Sequence, residues 1–126
     1  MSASSSTPQI TQIDKSQMNE IIQAVEGTDE NYVIIDVRNV DEIDYTGKLS
    51  PVVHTLPLPY IVQYGVFNLD NADFEDSFGF PKPEMDQTLV FTCKAGIRSM
   101  QAGQFAIQAG YTKIVNYTGG ANDWFR

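Results

Sequence analysis

The apolar residues of this 126-residue chain fall into blocks of two kinds, and the two kinds alternate. Met18, Ile21, Ile22 and Val25 recur on one stripe of a 3.6-residue period, which predicts an amphipathic helix. Asp14 stands before it as an N-cap, with Gln17 three residues on, and Ile13 with Met18 has the spacing of a hydrophobic staple. Gly27 ends the helix. By contrast, Tyr32-Val33-Ile34-Ile35-Asp36-Val37 is almost continuously apolar, as a strand covered on both faces requires. A short helix is expected around Val40 to Asp44, broken at Gly47. Brief strands are expected at Gln9 to Thr11 and, between prolines, at Thr55 to Leu58.

The second half keeps the alternation. Asn71 to Phe78, with Phe74 and Phe78 four apart, predicts a short amphipathic helix near a turn at Gly79. Phe80-Pro81-Lys82-Pro83 is an extended connector, because residues before proline avoid the helical region. Thr88 to Thr92 is a strand, Ser99 to Ala109 a helix ended by Gly110, and Lys113 to Tyr117 a last strand. Gly119-Gly120 then leads into a final turn holding Trp124. There are no internal repeats and no dividing linker. Strands alternating with helices predict a parallel α/β sheet. In such sheets ligands bind beyond the carboxyl ends of strands, which is where Cys93 falls.

Composition narrows the picture. The length suits one domain able to bury roughly two-thirds of its unfolded surface, with residues 9–126 as the domain and residues 1–8 as a flexible tail. That tail is Ser-rich and lacks Arg, so it does not read as a transit peptide. The 42% hydrophobic fraction excludes wholesale disorder. One cysteine permits no internal disulfide, which fits a reducing intracellular setting, cytoplasmic or mitochondrial. One Cys and one His (His54) are too few for a structural zinc site, so no metal is expected. No apolar run approaches the ~20 residues of a membrane span. The formal net charge of −8 makes nucleic acid and anionic membranes poor partners. The charge is unevenly spread: Met1 to Asp86 has fifteen acidic residues against four basic ones, a net of −11. Gln87 to Arg126 has only Asp123 against Lys94, Lys113, Arg98 and Arg126, a net of +3.

The cysteine lies in that basic third, in the run Thr92-Cys93-Lys94-Ala95-Gly96-Ile97-Arg98-Ser99. A strand delivers Cys93 to a loop with two cations, and a helix begins at once. Backbone N–H groups at a helix N-terminus favour negative charge. Such surroundings lower a thiol pKa from about 8.5 toward neutrality, and the thiolate is the nucleophile. Cys93 is therefore the candidate catalytic residue. The amides from Lys94 through Ser99 can form an anion-binding nest, with Gly96 permitting a left-handed turn. Arg98 is expected to make bidentate contacts with an oxyanion, and Lys94 to act as a point charge at the mouth. Ser99 is expected to cap the following helix and to add a hydroxyl donor. Asp36 and Arg38 are expected to fix their strand end and to pair with a nearby acid such as Glu42, with Arg38 adding to the field of the pocket. His54 reads as a surface-loop residue and Trp124 as a core anchor.

These motifs resemble the single-domain rhodaneses, in particular the small eukaryotic thiosulfate sulfurtransferases. The resemblance runs from about Thr11 to Phe125. It rests on Ile34-Ile35-Asp36-Val37-Arg38 with Glu42, on Phe80 to Pro83, on the loop from Cys93 to Arg98, and on Gly119-Gly120 ahead of Trp124. Pro51 to Leu58 departs from the family's run, with Val52, Val53 and Thr55 replacing Gly, Ala and Asn. The chain ends soon after Trp124, so the family's terminal helix is expected to be missing. The resemblance implies an open, mostly parallel five-stranded sheet with helices on both faces, no cofactor, and sulfur transfer through a persulfide on Cys93. It implies a small anionic donor, thiosulfate rather than 3-mercaptopyruvate, with glutathione persulfide as a further donor. The acceptor would be cyanide, glutathione, thioredoxin or a protein thiol. Two alternatives compete: a Cys-based phosphatase or arsenate reductase of related fold, and a non-catalytic regulatory module. The phosphatase-type loop has five residues between Cys and Arg where this chain has four, and the regulatory modules lack the cysteine or the glycine that this chain has.

Overall fold

The elements follow from the patterns above, with one addition. A computed structural model describes residues 9–126, so the expected tail at 1–8 lies outside the described residues. Strands β1 (Ile10–Ile13), β2 (Tyr32–Asp36), β3 (His54–Thr55), β4 (Thr88–Thr92) and β5 (Ile114–Tyr117) form one sheet in the order β1-β5-β4-β2-β3. Every strand pair is parallel, and β4 lies at the centre with Ile35 opposite Phe91 and Phe91 opposite Asn116. The helices are α1 (Lys15–Glu26), α2 (Val40–Thr46), α3 (Leu58–Tyr64), α4 (Asn71–Phe78), α5 (Ile97–Gln108) and α6 (Gly120–Trp124), with a 3-10 turn at Val66–Asn68.

The start of α1 is as expected. Asp14 accepts from the Gln17 N–H, Gln17 reaches back to the Asp14 N–H, and Ile13 and Met18 share one core cluster. Helix α3 was not expected. The strand expected at Thr55 to Leu58 is observed as β3 and ends at Thr55; beyond it, Pro59 sits in the first turn of α3, where a missing N–H costs no hydrogen bond.

The two-residue period of the strands sorts the core into two layers. Leu89, Phe91 and Ile35 face a cluster built on Ile61, Phe67, Phe74, Ala102 and Ala106, from α3, the 3-10 turn, α4 and α5. Val90 and Ile34 face the other way, toward Met18 and Ile22 of α1 and Ala121 of α6. Cys93 continues the Leu89–Phe91 face, so its side chain enters the larger cluster just where the strand ends. Among the described residues, no helix is long and apolar enough to cross a membrane.

Candidate active site

Two glycines close the loop around the cysteine. Between β4 and α5 the chain turns at Gly96, whose φ of +88° is a left-handed conformation that favours glycine. A Cβ there would also run into the Thr118 carbonyl oxygen. On the other side, Gly120 (φ +60°) brings the start of α6 against the loop, where a Cβ would fall 2.6 Å from the Cys93 carbonyl oxygen. The Ala121 N–H donates to the Cys93 carbonyl at 2.8 Å and the Asn122 N–H to that of Lys94 at 3.0 Å. The loop is thus anchored by its carbonyls, which leaves its N–H groups to face the sulfur.

Cys93 is 1% exposed. The Gly96 N–H donates to Sγ at 3.0 Å, and Ser99 Oγ lies 3.3 Å away. Burial pushes the thiol up; the Ser99 hydroxyl and the N–H groups of Ser99, Ala95 and Gly96 push it down. The hydrogen bonds outweigh the burial, and the thiol titrates below its ordinary value. Ser99 does not cap α5, which starts two residues earlier with Gly96 as its N-cap. Its hydroxyl is turned inward to the sulfur instead. Lys94, Ala95 and Ile97 are exposed, so Ala95 and Ile97 offer the loop backbone only.

The arginines correct two expectations. Both Nη groups of Arg98 donate to Glu42, at 2.7 and 2.8 Å, so bidentate contact with an oxyanion requires that pair to open. Glu42 also accepts the Asn39 N–H at 2.9 Å. The Arg98 hydrogen bonds hold its carboxyl down at about 2, against the opposing effect of burial. Arg38 does not pair with Glu42. It is buried on Asp36, with Nη2 at 2.7 Å from Oδ2, and its remaining donors go to Thr46 and the Gly47 carbonyl. Asp36 lies opposite Thr92 in the sheet, so this pair braces the strand ends beside the cysteine. Among the described residues Lys94 makes no ion pair.

Several residues of the site went unread in the sequence. Asn116 is buried on β5 and bonds to Ser99 and to the Gly96 carbonyl. Its signal was a polar residue inside an apolar strand. A cavity of about 320 Å³ beside the loop is lined by Arg38, Glu42, Tyr45, Lys94, Asn122 and Phe125. His54 is not a surface-loop residue: it lies in β3, half-buried and stacked on Phe80 at 4.2 Å, and burial lowers its pKa. Trp124 packs edge-on to Tyr117 against the α1 layer, as a core anchor does.

The site thus consists of a strand-end cysteine buried beneath amide donors in a parallel sheet. Residues 18–126 match the model of the rhodanese-like domain, and the chain belongs to that family. A rhodanese domain-containing protein of Drosophila melanogaster is 35% identical over 91 residues, 72% of this chain and 79% of its own. The thiosulfate:glutathione sulfurtransferase of Saccharomyces cerevisiae is 30% identical over 120 residues, 95% of this chain and 84% of its own. The solved structure of a human single-domain sulfurtransferase matches with a TM-score of 0.77 at 25% identity, covering 92% of this chain and 96% of the other. The fold is the rhodanese fold, and the family is one of sulfurtransferases.

Proposed function

We propose that this protein is a thiosulfate sulfurtransferase that works through a persulfide on Cys93. The observation that carries the reading is the Cys93 sulfur itself, which meets the Gly96 N–H and the Ser99 hydroxyl at the end of the central strand. The thiolate attacks the outer sulfur of thiosulfate; a new S–S bond forms as the bond to the sulfonate sulfur breaks, and sulfite leaves with that electron pair. The enzyme then holds Cys93–S–S⁻. An acceptor thiolate attacks the outer sulfur, carries it away as a persulfide and returns Cys93 as thiolate. Both steps are nucleophilic displacements at sulfur, so neither needs a cofactor.

The loop amides of Ala95, Gly96, Ile97 and Ser99 stabilise the charge on sulfur, since fixed dipoles in a buried site need no reorganisation. Lys94 draws the anionic donor to the mouth, and Arg98, screened by Glu42, tempers the local field. Asp36 and Arg38 hold the neighbouring strand end. The cavity beside the loop receives donor and acceptor in turn. The acceptor is a thiol (glutathione, thioredoxin or a protein thiol) or cyanide, in a reducing compartment, cytoplasmic or mitochondrial. Neither nucleic acid nor a membrane surface is a partner.

The test is intact mass spectrometry after incubation with thiosulfate. The protein is expected to gain one sulfur atom, to lose it on addition of glutathione, and to gain none as Cys93→Ser. Failure to form the adduct, with no sulfite released, would overturn the proposal. Hydrolysis of aryl phosphates that disappears in Cys93→Ser would favour the phosphatase reading instead.

A further inference from the structure

Behind the sulfur, a buried polar chain crosses the sheet edge. Asn116 lies on β5, 1% exposed, between Val115 and Tyr117. Its Nδ2 is 3.3 Å from the Gly96 carbonyl oxygen and 2.8 Å from Gln12 Oε1. A carbonyl only accepts, so this contact fixes the amide with Nδ2 toward Gly96 and Oδ1 toward Ser99. Ser99 Oγ is 2.5 Å from that Oδ1, and only Ser99 can supply the proton between them. The hydroxyl has one proton. Its 3.3 Å contact with Sγ is therefore an S–H donating to Ser99 Oγ, which is the arrangement of the protonated thiol.

Ionisation inverts this arrangement. A thiolate only accepts, so Ser99 can stabilise it only by turning its proton away from Asn116. That turn strips a buried oxygen of its donor, a penalty that opposes ionisation. In the persulfide the negative charge resides on the outer sulfur, Sγ is left a weak acceptor, and the proton can go back. We infer that the Ser99 hydroxyl is a two-position proton switch, with Asn116 as the positioning residue that competes with the sulfur for its proton. The hydroxyl faces Asn116 when Cys93 is protonated or persulfidated, and Cys93 when it is a thiolate. The inference rests on the reading of Cys93 as the nucleophile.

Other charged groups surround the sulfur. They are Lys94 in the loop, Arg98 on α5 with Glu42 of α2 behind it, and the Asp36–Arg38 pair at the end of β2. Asp123 of α6 is engaged by the Tyr117 hydroxyl. None is altered in the variants that test the switch.

The experiment is the pH dependence of Cys93 alkylation by iodoacetamide in four proteins: unmodified, Ser99→Ala, Asn116→Leu, and the double variant. Ser99→Ala is expected to raise the thiol pKa. Asn116→Leu has two effects, loosening Gly96 and freeing Ser99, and only the second needs the hydroxyl. Its shift is thus expected to be more negative with Ser99 present than in Ser99→Ala, by roughly 0.5–1 pH unit, the size of one hydrogen bond. Equal shifts in the two backgrounds, or a less negative shift with Ser99 present, would overturn the switch. A second measurement keeps Asn116 intact. With one cysteine in the chain, the infrared S–H stretch reports Cys93 alone. It is expected to rise in frequency in Ser99→Ala, and an unmoved band would contradict the assigned proton. Both readouts follow the thiol without sulfur transfer, so failure to form a persulfide would strike the functional reading and leave this test standing.

Discussion

Arg38 and Arg98 each meet a carboxylate at the carboxyl edge of the sheet, but in opposite surroundings. Arg38 and Asp36 are both 1% exposed, and the guanidinium gives its donors to Asp36, Thr46 and the Gly47 carbonyl. Arg98 and Glu42 are 30% and 28% exposed, and only the two Nη groups of Arg98 are engaged. The first pair has been taken out of water, where neither charge can do without the other. The second remains part-solvated, so water can replace either partner at small cost. Two Arg–carboxylate pairs near one sulfur thus differ: one is locked away from water, and the other can exchange its partners for water. Desolvation separates them, not residue type.

The strongest challenge to this contrast is Arg38→Met. It leaves the Asp36 carboxylate buried without its partner, and unfolding experiments are expected to show a loss of about 3–5 kcal/mol. Adding Asp36→Asn should restore much of it; a loss below ~1 kcal/mol would show that the brace is no brace.

Arg98→Ala comes next. It is expected to raise the thiosulfate KM roughly ten- to hundred-fold, the effect of about 1.5–3 kcal/mol for a charged group, because Glu42 is left as a bare carboxylate facing a dianion. Steady-state kinetics of Arg98→Ala with Glu42→Gln then separates two roles. Recovery of KM supports a screen, whereas persistent impairment means that Arg98 binds the sulfonate directly.

Lys94→Ala removes an exposed charge, so a few-fold rise in KM is expected, worth ~0.2–1 kcal/mol. It should fade as salt is raised, because the Debye length shrinks from about 10 Å at 0.1 M to 3 Å at 1 M. A salt-independent effect would make Lys94 a direct ligand.

The smallest effect concerns acid. The Glu42 carboxyl is depressed from 4.5 to about 2, so the stability it contributes is present above its unfolded value and is lost as pH falls from there through about 2. Near neutral pH the acid limb of kcat/KM is therefore expected to follow Cys93 and to be unmoved by Glu42 protonation. A chemical-shift titration of the Glu42 carboxyl with a midpoint near 4.5 would show the pair to be open in solution.

The sequence-based reading succeeded where its signal was local. The capping box at Asp14, the bounds of α4 and of β4, and the apolar run of β2 each depend on neighbours a few residues away. So does the delivery of Cys93 by a strand to a glycine-containing loop, because the strand, the turn and the helix are contiguous. It offers no helix at α3, whose first turn holds Pro59, and it carries to Leu58 a strand that ends at Thr55. It also assigned partners by proximity along the chain, and so matched Glu42 with Arg38 when the fold matched it with Arg98.

What the amino-acid order established unaided is the alternation of elements, the parallel sheet it demands, and a cysteine at the end of a strand. Periodicity, capping and turn chemistry act over a handful of residues and need no knowledge of the rest. The company of that sulfur depended on folding. Glu42 lies 56 residues from Arg98 in the chain, and Asn116 lies 17 from Ser99. Which donors a guanidinium or a hydroxyl keeps follows from the water it loses and the groups that distant elements bring to it. Neither quantity exists until the sheet has closed and α6 has come to rest against the loop.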